Sequence, residues 1–178
     1  MTNDIIISGF GGQGVMAIGK TLTEAGMKEG KEVSWLPSYG PEMRGGTANC
    51  SVVLSDELIV SPIVLEPSEL IAMNLPSLIK FEPTVKKGGT IFVNSSVVDQ
   101  KVTRTDVRAV YVDCIKIAEE LGNSKVANMV MLGAYIEAMK NLSTDTIKEM
   151  LVHMFTGPKA KLVDLNIEAL KRGAACVK

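Results

Sequence analysis

The sequence predicts an α/β fold: a three-layer α/β/α sandwich around a mixed, mostly parallel sheet, with a helical C-terminal part. Three observations carry this. Short continuous aliphatic runs such as Ile5-Ile6-Ile7 have the pattern of strands buried on both faces. These runs alternate with segments whose apolar residues recur at helical spacing. Beyond residue 112 the strand pattern stops and helical segments follow one another to the end. No repeat, linker or low-complexity stretch divides the chain, so residues 1–178 are expected to form a single domain.

In order, Ile5–Ile7 opens the sheet, and Val15, Ile18, Leu22 and Ala25 then mark a helix that Gly30 stops. Lys31–Leu36 reads as the second strand, 37–46 as an ordered loop with two prolines and three glycines, and Thr47–Leu54 as a longer strand. Leu58–Val60 and Ile63–Leu65 are short strand candidates around Pro62. Leu70–Met73 is a core strand, followed by a helix from about Pro76, since proline is tolerated in a first turn. Thr90–Asn94 and Arg108–Val112 complete the strands. Helices are expected over 114–121, 125–140, 144–155 and 158–172, with Ser124 and Ser143 as N-caps and Gly122 and Gly173 as stops.

Composition narrows function mainly by exclusion. A net charge of −1 gives no pull toward nucleic acid or an anionic membrane. No apolar run approaches the roughly 20 residues that span a bilayer, and charged Asp4 directly before a strand predicts no signal peptide. Cys50, Cys114 and Cys176 are scattered and odd in number, which suits a reducing cytoplasm and provides no metal or iron–sulfur ligand spacing. Hydrophobic residues make up 46% of the chain, a share that predicts burial against partners.

The chemistry-bearing segment is Gly9-Phe-Gly-Gly-Gln-Gly14, four glycines in six residues between a strand and a helix. Such a turn lets a ligand approach the backbone, and the helix amides behind it favour negative charge. The segment matches the dinucleotide fingerprint, yet a Rossmann site also needs an acid about 20 residues on, at the end of the second strand. Here that strand ends Ser34-Trp-Leu-Pro37, without a carboxylate. It is not a Walker loop either, because no Gly-Lys-Ser/Thr follows. A tight packing turn and a ligand or partner contact both remain open.

A second loop, Tyr39-Gly-Pro-Glu-Met-Arg-Gly-Gly46, follows the second strand as the first loop follows the first, so both are expected on one sheet edge. Arg44 is suited to fork onto a carboxylate or phosphate, Glu42 to hold Arg44 or accept a hydrogen bond, and Tyr39 to offer an aromatic face. An internally salt-bridged surface loop uses the same residues.

Four ordered motifs then carry a resemblance over nearly the whole chain: GFGGQGV, YGPEMRGGTANCSV, SDELIVSP at 55–62, and Gly122-Asn123 with NMVMLGA at 128–134. Together they resemble the gamma subunit of 2-oxoacid:ferredoxin oxidoreductases, equivalent to one domain of the fused pyruvate:ferredoxin enzyme. Pyruvate-type subunits more often carry FGPERRGA; YGPEMRGG is similar to the 2-oxoglutarate type, with branched-chain enzymes close behind. The resemblance implies oxidative decarboxylation of 2-oxoglutarate with coenzyme A to succinyl-CoA, CO2 and reduced ferredoxin, with branched-chain 2-oxoacids or pyruvate as the alternative substrates. It implies thiamine diphosphate, Mg2+, iron–sulfur clusters and coenzyme A for the complex, none held by this chain alone. It implies alpha, beta and, where present, delta subunits as partners, with ferredoxin reached through the complex. No residue inherits a catalytic role and none is expected to hold a metal. Gly11, Gly12, Gln13, Gly14, Tyr39, Glu42 and Arg44 are the residues expected to contact coenzyme A, substrate or a partner subunit.

Other residues read more plainly. His153, the lone histidine, sits on a helix without acid or nucleophile partners and reads as structural. Met129–Leu132 is apolar around its helix, meaning deep burial or a partner contact; Asn128 beside it requires a hydrogen-bond partner if buried. Cys50 reads as a small core residue, with its nearness to the second loop leaving a functional option open. Two rivals stand beside the main reading: a nicotinamide dehydrogenase using GFGGQG, and a pure scaffold in which neither loop touches a ligand.

Overall fold

The computed structural model describes residues 1–39 and 47–177. Strand β1 (Thr2–Phe10) feeds helix α1 (Val15–Lys28), then β2 (Glu32–Tyr39), β3 (Thr47–Ser55), β4 (Glu69–Ala72), α2 (Leu75–Phe81), β5 (Thr90–Asn94) and β6 (Arg108–Val112). Helices α3 (Cys114–Glu120), α4 (Ala127–Met139), α5 (Thr144–Met154) and α6 (Val163–Ala174) follow. The sheet order is β2-β3-β1-β4-β5-β6. Strands β1, β4, β5 and β6 are parallel neighbours, while β3 is antiparallel to both β1 and β2. Two reversals leave β2 running in the direction of β1, and its edge position tolerates Pro37 within the strand.

Alternation along the strands sends side chains to two cores. Ile5, Ile7, Val52, Leu54, Ile71 and Phe92 face the larger core with α1 and α3–α6; Ile6, Leu70, Ala72, Ile91 and Val93 face the smaller one with Leu78 of α2. Helix α4 is buried along Met129–Leu132, so that stretch is core packing. It lies so close to α6 that a Cβ on Gly173 would sit 1.8 Å from the Val130 carbonyl oxygen, and one on Gly133 2.0 Å from that of Leu170. Gly173 is therefore not the helix stop expected of it: it lies inside α6, at the point where the two backbones touch.

Three other expectations are corrected. Residues 58–60 and 63–65 form no strands; they belong to an extended connection from β3 to β4 with no neighbouring strand to pair with, and Pro62 lacks an amide to donate. Ser124 does not cap α4: it begins a 3-10 turn over Ser124–Val126, capped by Asn123 Oδ1 accepting from the Lys125 amide at 3.0 Å. The expected helix from Pro158 begins as a 3-10 segment over Gly157–Leu162 and becomes α-helical at Val163. Ser143 caps α5 as expected, its Oγ accepting from the Asp145 amide at 3.2 Å. Among the described residues no helix is long and apolar enough to cross a membrane.

Candidate functional site

The carboxyl ends of β1, β2, β4 and β5 lie on one sheet edge, and the glycine loop stands at its centre. From β1 the chain leaves for one half of the sheet and from β4 for the other, on opposite faces, the switch-point position where open α/β sheets bind ligands. Helix α1 starts there with no acid in its first turn and no side-chain cap among the described residues, so its leading amides suit an anion.

Gln13 fixes the loop. Its Oε1 accepts from the Phe10 amide at 2.7 Å, and its Nε2 donates to the Met73 carbonyl at 3.0 Å. Asn94 Nδ2 donates to the same carbonyl at 3.3 Å, so one oxygen ties together the ends of β1, β4 and β5. Gly12 and Gly14 take positive φ of 93° and 76°. At Gly14 a second constraint applies: a Cβ would fall 2.4 Å from Asn128 Nδ2 and 2.6 Å from Asn128 Cβ, so the loop is seated directly against the start of α4.

Two clefts flank the loop. One, of about 300 Å³, is lined by Phe10, Gly11, Gly12, Met16, Tyr39 and Ala48 among others, and so brings Tyr39 beside the glycines as the shared-edge argument expected. The second, of about 420 Å³, lies between Gly12–Gly14 and the side chains of Asn94, Ile115, Ser124, Lys125 and Asn128. Glu42 and Arg44 lie outside the described residues. Sequence reasoning missed Asn94 and Lys125 as site residues and read Asn128 only as a structural polar group. Only the sheet register and the return of α4 to the loop bring these distant positions together.

Neither set of described lining residues contains a carboxylate, histidine or thiol. The clefts can bind a ligand through backbone amides, side-chain amides and one lysine, and among the described lining residues no carboxylate, histidine or thiol stands beside the Tyr39 and Ser124 hydroxyls or the Lys125 amine to activate them. Cys50 lies just behind the loop, its Sγ 3.8 Å from the Val15 carbonyl oxygen, and burial pushes its thiol up to about 11; it is a core residue. His153 is exposed on α5 and lines neither cleft. The nicotinamide reading loses further ground, because β3 separates β1 from the strand whose end holds the ribose in a Rossmann site, and β2 ends Pro37-Ser38-Tyr39, again without an acid.

The family model described as pyruvate ferredoxin/flavodoxin oxidoreductase matches residues 4–176. The ketoisovalerate oxidoreductase subunit VorA of Methanothermobacter marburgensis is 40% identical over 169 residues, which is 94% of this chain and 35% of VorA. The 2-oxoglutarate synthase subunit KorC of Methanocaldococcus jannaschii is 35% identical over 155 residues, 85% of this chain and 83% of KorC. The chain thus spans about a third of VorA and most of KorC. The crystal structure of a keto/oxoacid ferredoxin oxidoreductase gamma subunit from Geobacter sulfurreducens superposes with TM-score 0.82 at 29% identity, covering 98% of this chain and 97% of that one. A 2-oxoglutarate:ferredoxin oxidoreductase from Magnetococcus marinus, solved with 2-oxoglutarate, coenzyme A and succinyl-CoA bound, superposes with TM-score 0.89 at 25% identity, over 98% of this chain and 31% of its own.

Proposed function

Because the chain belongs to the pyruvate ferredoxin/flavodoxin oxidoreductase family, we propose that residues 1–178 act as one gamma-type domain of a cytoplasmic 2-oxoacid:ferredoxin oxidoreductase, noncatalytic by itself. The observation that carries this reading is the glycine-loop edge: a ligand-binding position at the sheet's switch point, rich in amides, with no carboxylate, histidine or thiol among its described lining residues. That is what a domain requires if it presents a cosubstrate to chemistry performed elsewhere. Coenzyme A supplies the thiol that accepts the acyl group. Its phosphates suit the amides at the start of α1 and Lys125, and its amide-rich arm suits Asn94 and Asn128. Gly11, Gly12, Gly14, Tyr39, Glu42 and Arg44 complete the proposed contact surface, with Gln13 holding it in shape.

Thiamine diphosphate with its Mg2+ and the iron–sulfur clusters do not fit these residues. Among the described residues the clefts offer no carboxylate for the metal, and Cys50 and Cys114 are separately buried with their thiols pushed well up by burial. We assign those groups to companion alpha, beta and, where present, delta subunits, which also pass electrons to ferredoxin. Among substrates, the higher identity to VorA favours a branched-chain 2-oxoacid, and the YGPEMRGG loop and the KorC relatives favour 2-oxoglutarate. The test is the intact complex carrying Arg44→Ala or Asn128→Ala, assayed for acceptor reduction. A raised KM for coenzyme A with unchanged assembly supports the contact surface, and unaltered kinetics for both variants reject it.

A further inference from the structure

The connection between β3 and β4 carries the sequence Leu58-Ile-Val-Ser-Pro-Ile-Val-Leu65, eight residues without a charge between Glu57 and Glu66. Ile59 is half-buried and Val64 packs against the smaller core, but the other four aliphatic side chains are open to solvent. Leu58 is 81% exposed, Val60 95%, Ile63 61% and Leu65 77%. Its backbone is equally unused: from Leu58 to Glu66 the one amide with a hydrogen-bond partner among the described residues is that of Ile63, bonded to the nearby Ser61 Oγ. Ser55 pairs with Thr2, and Glu69 pairs with Ile5, so this strap crosses the sheet edge opposite the glycine loop. Beside it runs a groove of about 350 Å³ lined by Asp4, Ile63, Val64, Leu65, Glu66 and Lys86.

Four large aliphatic side chains and a free backbone on one segment form an apolar surface that a free-standing protein does not keep open to water. The length of the relatives indicates what covers it. This domain is about a third of VorA and 31% of the Magnetococcus chain, so in those proteins it is covalently joined to roughly twice its own mass of protein. We infer that the strap 58–65 and its groove are the docking surface for the companion part of the oxidoreductase, the part that corresponds to the rest of those long chains. This rests on the gamma-domain reading and adds to it the surface through which assembly occurs. Apolar side chains and an unpaired backbone suit burial of the strap beneath a partner segment, with the exposed Lys86 beside the groove, paired to Asp4, open to a partner carboxylate or carbonyl. Contact here leaves the glycine-loop edge free.

The test is capture of the companion subunits, identified by mass spectrometry, on the tagged full chain in its own cells. The strap variant Val60→Glu/Leu65→Glu is compared with Ile79→Glu, an exposed apolar position on α2 outside the strap. The inference predicts at least a tenfold loss of companion with the strap variant, full capture with Ile79→Glu, and the same melting temperature for all three isolated chains. It also predicts that amides 58–66 exchange slowly with deuterium in the complex and rapidly in the isolated chain. Undiminished capture by the strap variant, or equal exchange in both states, overturns the docking surface and leaves the gamma-domain reading intact. Purified wild-type chain dimerising through residues 58–65 overturns the occupant in favour of a second copy. Failure of the wild-type chain to capture any oxidoreductase subunit overturns the gamma-domain reading itself.

Discussion

Replacing Gly14 by alanine tests how the loop is held, because two separable penalties meet at that position. The residue sits at φ 76°, where an L side chain costs roughly 1–2 kcal/mol. The new Cβ would also lie 2.4 Å from Asn128 Nδ2 and 2.6 Å from Asn128 Cβ and Cγ. Contacts to the stem of a side chain rooted in α4 are not relieved by a simple rotamer change, and overpacking of this kind costs about 1–3 kcal/mol. The sum is about 2–5 kcal/mol, which for a domain of this length corresponds to a fall in Tm of roughly 4–20 °C. Asn128→Gly removes the three atoms nearest the new Cβ and leaves the backbone part untouched. Urea unfolding of the four proteins in the double-mutant cycle therefore predicts that Gly14→Ala costs only about 1–2 kcal/mol in the Asn128→Gly background. An equal cost in both backgrounds would refute the seating of the loop on α4, and a cost near zero in either would refute the backbone conformation.

Three further outcomes follow from the packing and the buried groups. Gly133→Ala and Gly173→Ala each drive a Cβ into a backbone carbonyl of the facing helix, so each should destabilise by at least about 2 kcal/mol in urea unfolding; a loss under about 0.5 kcal/mol would contradict the α4–α6 contact. Glu69 is buried at the far edge of the sheet, its Oε1 accepting from Asn3 Nδ2 at 3.1 Å and its Oε2 in hydrogen-bond geometry with none of the described residues, and burial pushes its carboxyl up to about 7; Asp4 adds to the rise, while Asn3, Ser68 and Lys86 oppose it. The folded state then holds a proton that the unfolded chain releases near pH 4.5, so this group's stabilising contribution is complete below that pH and is lost as pH rises to about 7. Glu69→Gln should accordingly gain on the wild type by up to about 3 kcal/mol between pH 4.5 and pH 8, and parallel stability curves would contradict it. Among the thiols, Cys50 and Cys114 are buried and Cys176 is half-buried, so iodoacetamide should label Cys176 first in the native protein and the other two only on unfolding. Native labelling of Cys50 at the rate of Cys176 would contradict its core position.

Much of the architecture was legible because local rules and tertiary structure agree along most of the chain. Thr90–Asn94 and Arg108–Val112 appear with the expected bounds, and α1 ends near Gly30 as its spacing requires. The failures share a physical origin. Leu58–Leu65 has the apolar content of strands, but composition does not distinguish burial in a sheet from exposure on a connection. Gly173 has the residue type of a helix stop, while its actual demand, contact with Val130, arises from a helix 43 positions earlier in the chain. The candidate site was legible in part. GFGGQG and Tyr39 announce themselves locally, and their shared edge follows from strand direction. Asn94 and Lys125 have no local signature, because only the fold carries β5 and the start of α4 to the loop.

The central claim is that this chain completes a 2-oxoacid:ferredoxin oxidoreductase without performing its chemistry. The most direct measurement is coenzyme A-dependent acceptor reduction by the companion subunits, with and without this chain, across 2-oxoglutarate, ketoisovalerate and pyruvate. The account predicts no turnover by the chain alone and full turnover on one of these oxoacids only when chain and companions are combined. Undiminished coenzyme A-dependent turnover by the companions without it, or micromolar NAD(H) binding by the isolated chain, would contradict the account.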